Sequence, residues 1–231
     1  MMHKSWFFLF FIVFISHTIS SQRRLSLAWI DLSISKKFSK KLDVSLGMTN
    51  RIGDLGIQTN FSQFSVKYKL SDWIKPSIDY RLVSNRQENG AYQFSNRLNT
   101  NIHFSKELKR FDFGLRLRYQ YSFSKLVSQQ NDPEFDLAYR FRPSISYDIN
   151  NSIISPTMSV EYFYNPENSA LGNRFTKARY ILGFDLELKG SHELTFAYIL
   201  DQQINLPDPL QKHILSISYN YKLKSKKKVH S

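Results

Sequence analysis

Every second residue from Phe111 to Phe123 is apolar, reading Phe, Phe, Leu, Leu, Tyr, Tyr, Phe. Between them stand Asp112, Gly114, Arg116, Arg118, Gln120 and Ser122. A period of two held this long predicts a strand with one apolar and one charged face. An ordinary strand runs about 5–6 residues, whereas a tilted strand needs roughly 9–11 to cross the hydrocarbon of a bilayer. In a water-soluble sheet the apolar face points inward. In a barrel embedded in lipid it points outward, and the charged face lines the lumen. The length and the aromatic ends favour the second arrangement. The competing soluble β-sandwich does not account for strands this long.

The same alternation recurs along the chain and predicts eleven strands, over roughly 24–37, 41–52, 60–70, 73–85, 91–105, 109–125, 134–148, 152–164, 174–188, 192–204 and 212–223. In the last, Leu215, Ile217, Tyr219, Tyr221 and Leu223 oppose Ser216, Ser218, Asn220 and Lys222. The first slips phase between Trp29 and Ile30, which predicts a β-bulge there. Short connections (39–40, 71–72, 106–108, 150–151, 189–191) alternate with longer ones (53–59, 86–90, 126–133, 165–173, 205–211). Outer-membrane barrels have short periplasmic turns and longer outer loops, so the C-terminus is expected in the periplasm. Such barrels usually have an even number of strands. Eleven candidates therefore leave an expected count of ten to twelve, with a strand missed, one over-split, or an N-terminal segment outside the wall. Pro76, Pro143 and Pro156 fall on the apolar phase, where each removes a ladder hydrogen bond and predicts a bulge. The expected fold is all-β, a transmembrane antiparallel up-and-down β-barrel of about 10–12 strands.

The N-terminus fits that destination. A short basic start, the apolar run Trp6 to Ile15 and the small, mostly polar stretch Ser16 to Ser21 have the layout of a secretory signal peptide. The apolar run is about ten residues, shorter than the roughly 20 of a spanning helix. The expected organisation is a cleaved signal peptide over 1–21, a barrel domain over 22–223 and a basic tail over 224–231. With no cysteine in the chain, disulfides, thiolate metal sites and lipoprotein attachment are excluded. The negative mean hydropathy suits strands that turn half their side chains to water.

The net charge is +13. On the polar phase, the acids are Asp31, Asp43, Asp79, Asp112, Asp136, Glu161, Asp185, Glu187, Glu193 and Asp201. The bases are Lys67, Lys69, Lys75, Arg81, Arg97, Arg116, Arg118, Arg140, Arg142, Lys177, Arg179 and Lys222. Ten against twelve is nearly balanced, so the excess charge is expected elsewhere. Charges in a narrow barrel must be paired or hydrated. The expected lumen network comprises Asp79, Arg81, Arg97, Asp112, Arg116, Arg118, Asp136, Arg140, Arg142, Glu161, Arg179 and Asp185. Within it, Arg116, Arg118, Arg140 and Arg142 form a ladder with Asp112 and Asp136. The excess gathers at the short-turn end in Lys36, Lys37, Lys40, Lys41, Lys106, Lys109, Arg110, Lys189, Lys224, Lys226, Lys227 and Lys228. A basic rim there would meet anionic lipid headgroups or an acidic periplasmic partner, or serve as a solvated collar. Nucleic acid is not an expected partner, because the charge lies at turns and a tail of a secreted chain. Aromatics gather towards both strand ends. Tyr68, Trp73, Phe104, Phe111, Tyr147 and Tyr221 stand at one, and Tyr92, Phe94, Tyr121, Phe123, Phe135, Tyr162 and Tyr164 at the other, as interfacial girdles do.

Catalytic chemistry has one candidate. Asn101, His103 and Ser105 share one face of one strand, and an imidazole beside a hydroxyl is the minimum for nucleophilic catalysis. The spacing resembles the His-x-Ser pair of the outer-membrane phospholipase family, but that family shows its pair to lipid and here the phase puts it in the lumen. Polar lumen positions are the favoured account. The carboxylates share their face with many arginines, so ion pairing is expected rather than acid–base work. No metal-ligand cluster, phosphate-binding glycine loop or Gly-x-Ser-x-Gly elbow is present, and no cofactor is expected.

The stretch Ile78-Asp79-Tyr80-Arg81, the polar loop Asn85 to Gly90, Tyr92 and Asn96-Arg97 resemble an uncharacterised family of bacterial outer-membrane β-barrels. So do Tyr180 to Leu188, His192-Glu193-Leu194 and the ending His213 to Leu223. The resemblance spans the mature chain and implies fold and location in a Gram-negative envelope. It transfers no catalytic residue, since the family is a domain of unknown function. The expected role is therefore a small or occluded porin-like pore, or a structural or interaction barrel, and not an enzyme. Its surroundings would be the outer-membrane bilayer, reached through the barrel assembly machinery. The alternative is a barrel hydrolase acting on lipid or peptide through lumen residues.

Overall fold

The computed structural model describes residues 23–123, 137–166, 174–206 and 208–224. The predicted signal peptide, Asp136, Phe135 and the tail from 225 onward lie outside the described residues. Eleven strands follow one another: β1 Arg23–Lys37, β2 Leu42–Gly53, β3 Gly56–Tyr68, β4 Ile74–Arg86, β5 Tyr92–Leu108, β6 Phe111–Phe123, β7 Leu137–Tyr147, β8 Ile154–Asn165, β9 Arg174–Glu187, β10 His192–Gln203 and β11 Leu210–Leu223. Each pairs with its sequence neighbours, and β1 pairs with β11 to close the barrel.

The closing pair resolves the question of parity. Neighbouring strands alternate in direction around a wall, so an odd number forces one parallel contact. β1 and β11 supply it, in continuous register from Arg23 beside Leu210 to Lys36 beside Leu223, and the other ten pairs are antiparallel. The N-terminal segment is thus a true wall strand. Arg23 stands at the long-loop end and Leu223 at the short-turn end.

The register also fixes the size. From Lys37 the partners run Asp43, Lys67, Ser77, Asn101, Arg118, Arg140, Phe163, Lys177 and Gln203. Gln203 lies beside Leu210, whose partner is Arg23, fourteen residues up β1 from the start. Eleven strands with that stagger tilt by about 40° around a wall of roughly 11 Å radius, using ordinary strand spacings. This lies between an eight-stranded barrel filled by side chains and a wide porin.

Outward and inward faces follow the alternation. Leu117, Tyr139 and Ile217 are 38%, 50% and 44% exposed, whereas Arg118 and Arg140 are 6% and 8% exposed. The apolar stripe therefore faces out and the charges are enclosed. Trp73 packs on Phe104 and Phe111 on Tyr147 at the short-turn end; Tyr121 stacks on Phe123 towards the other.

Three local expectations are corrected. The first strand has no bulge at Trp29, because its register with both neighbours is unbroken. Leu27 and Trp29 face the lumen with the polar phase and pack with Ile181, Ala197, Ile199 and Ile214. The bulges instead lie at Arg51/Ile52 and at Phe163/Tyr164, where Gln58 and Thr176 are the extra residues. The long loop expected over 53–59 is a tight hairpin around Asp54 and Leu55, closed by Gly56 at φ 85°, a backbone region that suits glycine.

The prolines need no bulge either. On the β3 side the pairing of β4 stops at Ser77, and on the β7 side the pairing of β8 stops at Thr157, so Pro76 and Pro156 lie just past a ladder's end. Between β7 and β8 the ladder skips Arg142 and Pro143 and resumes at Ser144 in the same register. Each proline thus has one side where no donor is required.

Gly183 on β9 stands opposite Ala197 on β10. A methyl group there would run into the Phe196 carbonyl and the Ala197 side chain. Gly183→Ala is expected to destabilise the barrel by about 1–3 kcal/mol, read as a lower urea midpoint for loss of the heat-modifiable gel form.

Candidate functional site

A cavity of about 440 Å³ occupies the middle of the lumen. Further cavities adjoin it, one towards each end. Around the central one stand Arg51, Arg81, Arg97, Arg116, Arg118, Arg140, Arg142, Lys177 and Arg179, with Asp31, Asp112, Glu161 and Asp185 as the carboxylates. Nine cations face these four acids, and Asp79 and Asp201, buried just behind the lining, pair with Arg118 and Arg179. The near balance counted along the sequence does not hold at mid-height. Several of the counted acids, such as Asp43 and Glu193, belong to the short-turn end, and the count omits Arg51.

Glu161 is the central acid, 1% exposed. Both its oxygens are held by Arg140, at 3.0 Å from Nε and 2.7 Å from Nη2. Arg116 donates from 2.6 Å and Arg179 stands at 3.7 Å. Asp79 accepts from Arg118 and from the Asn101 amide, each at 3.0 Å. Asp201 pairs with Arg179 and lies 4.0 Å from Lys177. The expected ladder is thus re-partnered. Across β6 and β7, Arg116 sits opposite Arg142 and Arg118 opposite Arg140. Arg116 and Arg140 take their acid from β8 and Arg118 takes its acid from β4, so Asp112 is not the partner of these three. Asp112 is at the exposed end of β6, and Asp185 accepts from the Thr195 hydroxyl at 2.5 Å. Arg97 donates to Ser122 at 2.9 Å.

Aromatic rings hold much of the remaining positive charge. Arg81 lies 4.5 Å from the Phe61 ring centre, and Arg51 lies 5.3 Å from the same ring and 4.3 Å from Trp29. Arg179 is 5.0 Å from Trp29 and 5.1 Å from Phe163, which also meets Arg140 at 4.3 Å and Lys177 at 4.5 Å. Cations and ring faces therefore alternate in one chain across the lumen, each contact favourable by cation–π attraction. The sequence reading leaves out Arg51, Trp29, Phe61 and Phe163 as a group. Their signal is an aromatic on the polar phase, as in Phe61-Ser62-Gln63 and Glu161-Tyr162-Phe163.

The imidazole expected to pair with Ser105 contacts another hydroxyl. His103 Nε2 lies 3.2 Å from Ser77 Oγ on β4, which also accepts from Asn101 at 2.9 Å. Ser105 instead accepts from Lys75. Among the described residues no acceptor holds His103 Nδ1, so the orienting member of a catalytic triad is missing. Nor do three or more His, Asp or Glu residues gather to hold a metal ion among the described residues. Lys69, expected in the lumen, lies in the β3–β4 turn at 2.5 Å from Asp72. Its hydrogen bond holds the Asp72 carboxyl below the usual carboxylate range.

These features define a closed, narrow β-barrel with an apolar exterior and a cationic, aromatic-braced lumen. The chain belongs to the family described as protein of unknown function DUF2490, whose profile matches residues 27–213. No curated protein matches the sequence. Among solved structures, the NanC porin is similar at 16% identity and a TM-score of 0.49, over 83% of this chain and 91% of that one.

Proposed function

We propose that this protein is a narrow, anion-preferring pore in the outer membrane of a Gram-negative envelope. Its chain would comprise a signal peptide over 1–21, the barrel over 22–223 and a basic tail over 224–231. The observation that carries this reading is the excess of cations at mid-lumen, nine against six carboxylates once Asp79 and Asp201 are counted with the lining, inside a wall whose apolar side chains face outward. A closed strand wall leaves no unpaired edge in hydrocarbon. A ring of cationic side chains at a constriction favours anions. The short-turn end, with Lys36, Lys37, Lys40, Lys41, Lys106, Lys109, Arg110 and Lys189, would face the periplasm and meet anionic headgroups or an acidic partner there. Assembly would proceed through the barrel assembly machinery. No catalytic role is assigned, because the Ser77–His103 pair lacks its orienting group.

Refolded protein in a planar bilayer tests the proposal. Under a salt gradient, discrete conductance steps with a reversal potential on the anion side are expected. A silent bilayer, or a cation-side reversal potential, would overturn it.

A further inference from the structure

Of the cations around the central cavity, Arg116, Arg118, Arg140 and Arg179 have a carboxylate in contact. Arg51, Arg81 and Arg142 differ. Among the described residues none of the three has a carboxylate within ion-pair distance. Arg81 donates to Gln63 Oε1 at 2.5 Å and Arg142 to Ser159 Oγ at 3.1 Å, both neutral acceptors. Arg51 rests on the faces of Trp29 and Phe61, and its buried Nε has no hydrogen-bond partner among the described residues. A guanidinium carries five N–H donors, so most of the donors on these three remain to be used.

Enclosed charge without a counter-charge is costly. The chain supplies built-in acids to the neighbouring arginines and leaves these three with ring faces and neutral oxygens. The rings beside Arg51 and Arg81 offer their charge an attractive face and no oxygen acceptor for the N–H groups. All three side chains line the same cavity of about 440 Å³, which falls within the roughly 300–1,000 Å³ of small-molecule sites. Planar guanidinium forks match carboxylate and phosphate oxygens two at a time.

We propose that the mid-lumen cavity is a binding site for a small oxyanion bearing two or more carboxylate or phosphate groups, anchored by Arg51, Arg81 and Arg142. This rests on the enclosed-charge arrangement and deepens the pore reading. The favoured solute is a compact polyvalent anion that replaces the missing carboxylates and is held part-way along the lumen. Arg51 and Arg81 grip it from the side of Phe61, and Arg142 from β7.

The test uses the refolded full-length chain in detergent, titrated calorimetrically with citrate in one arm and pyrophosphate in the other. Saturable, salt-sensitive binding is expected in at least one arm, and the arm that responds separates carboxylate from phosphate recognition. Arg51→Gln and Arg142→Gln are each expected to weaken it about tenfold or more, as loss of a buried charged contact does. Lys109→Gln, at a two-residue turn, is expected to leave it unchanged. Arg81→Lys, which keeps the charge and loses the fork, should fall between. Heat-modifiable migration confirms that each variant is folded, and the wild-type titration decides the matter even if a variant is not. Absence of saturable binding in both arms would overturn the site, as would an equal loss in Lys109→Gln. Anion-selective conductance without saturable binding removes the site and leaves the pore. Binding without conductance does the reverse.

Discussion

Replacing Glu161 by glutamine is expected to cost the barrel about 3–5 kcal/mol, the usual penalty for breaking a buried ion pair by removing one partner. The penalty is large because this single carboxylate holds Arg140 with both oxygens, accepts from Arg116 and faces Arg179. Without it, three guanidiniums from β6, β7 and β9 repel one another at mid-height. Urea titration of the refolded protein, followed by the heat-modifiable gel form, would show a midpoint far below that of the wild type. Asp185→Asn provides the contrast. Its carboxylate accepts from the neutral Thr195 hydroxyl, so a loss of about 1 kcal/mol is expected. Equal midpoints for Glu161→Gln and the wild type would mean that the arginine cluster does not depend on this acid.

The second large effect is on permeation. Arg51→Glu combined with Arg81→Glu leaves seven cations and six carboxylates lining the central cavity, with Asp79 and Asp201 behind them on Arg118 and Arg179. Selectivity set by side-chain charge at a constriction follows such a change. The reversal potential in a salt gradient is therefore expected to move from the anion side to near zero or beyond. Both positions lack a built-in carboxylate partner, so their replacement breaks no ion pair of the wall, and the variant is expected to fold. An unchanged reversal potential in a folded double variant would show that current does not pass this level of the lumen.

Much of the architecture was legible in the residues. The strict alternation of Phe111 to Phe123 or Leu215 to Leu223 is a local pattern, and sterics alone put successive side chains on opposite faces. All eleven strands lie close to where that pattern puts them. The enclosure of Asp79, Arg97, Arg118, Arg140, Glu161 and Arg179, all buried, follows the same alternation. Prolines and glycines were harder. Pro143 reads as a bulge in isolation, yet the β7–β8 ladder simply skips it in register, because the demand for its missing donor depends on the neighbour.

The partners of the lumen charges were not legible. Adjacent strands suggested Asp112 and Asp136 for the arginine ladder, but the register puts arginine opposite arginine across β6 and β7. The compensating acids arrive from β8 and from β4. Trp29 and Phe61 are aromatics on the polar phase, and their inward positions are explained by Arg51, Arg81 and Arg179 against their rings.

The chain by itself determined that strands form, how long they are and which side chains share a face, since all three depend on residues one or two positions apart. Closure by a parallel β1–β11 seam, the stagger that sets the bore and the choice of Glu161 as common acid were decided only by the tertiary structure. Those depend on which residues far apart in the chain reach the same height in the lumen. No local period encodes that height; it emerges when eleven tilted strands close on one another.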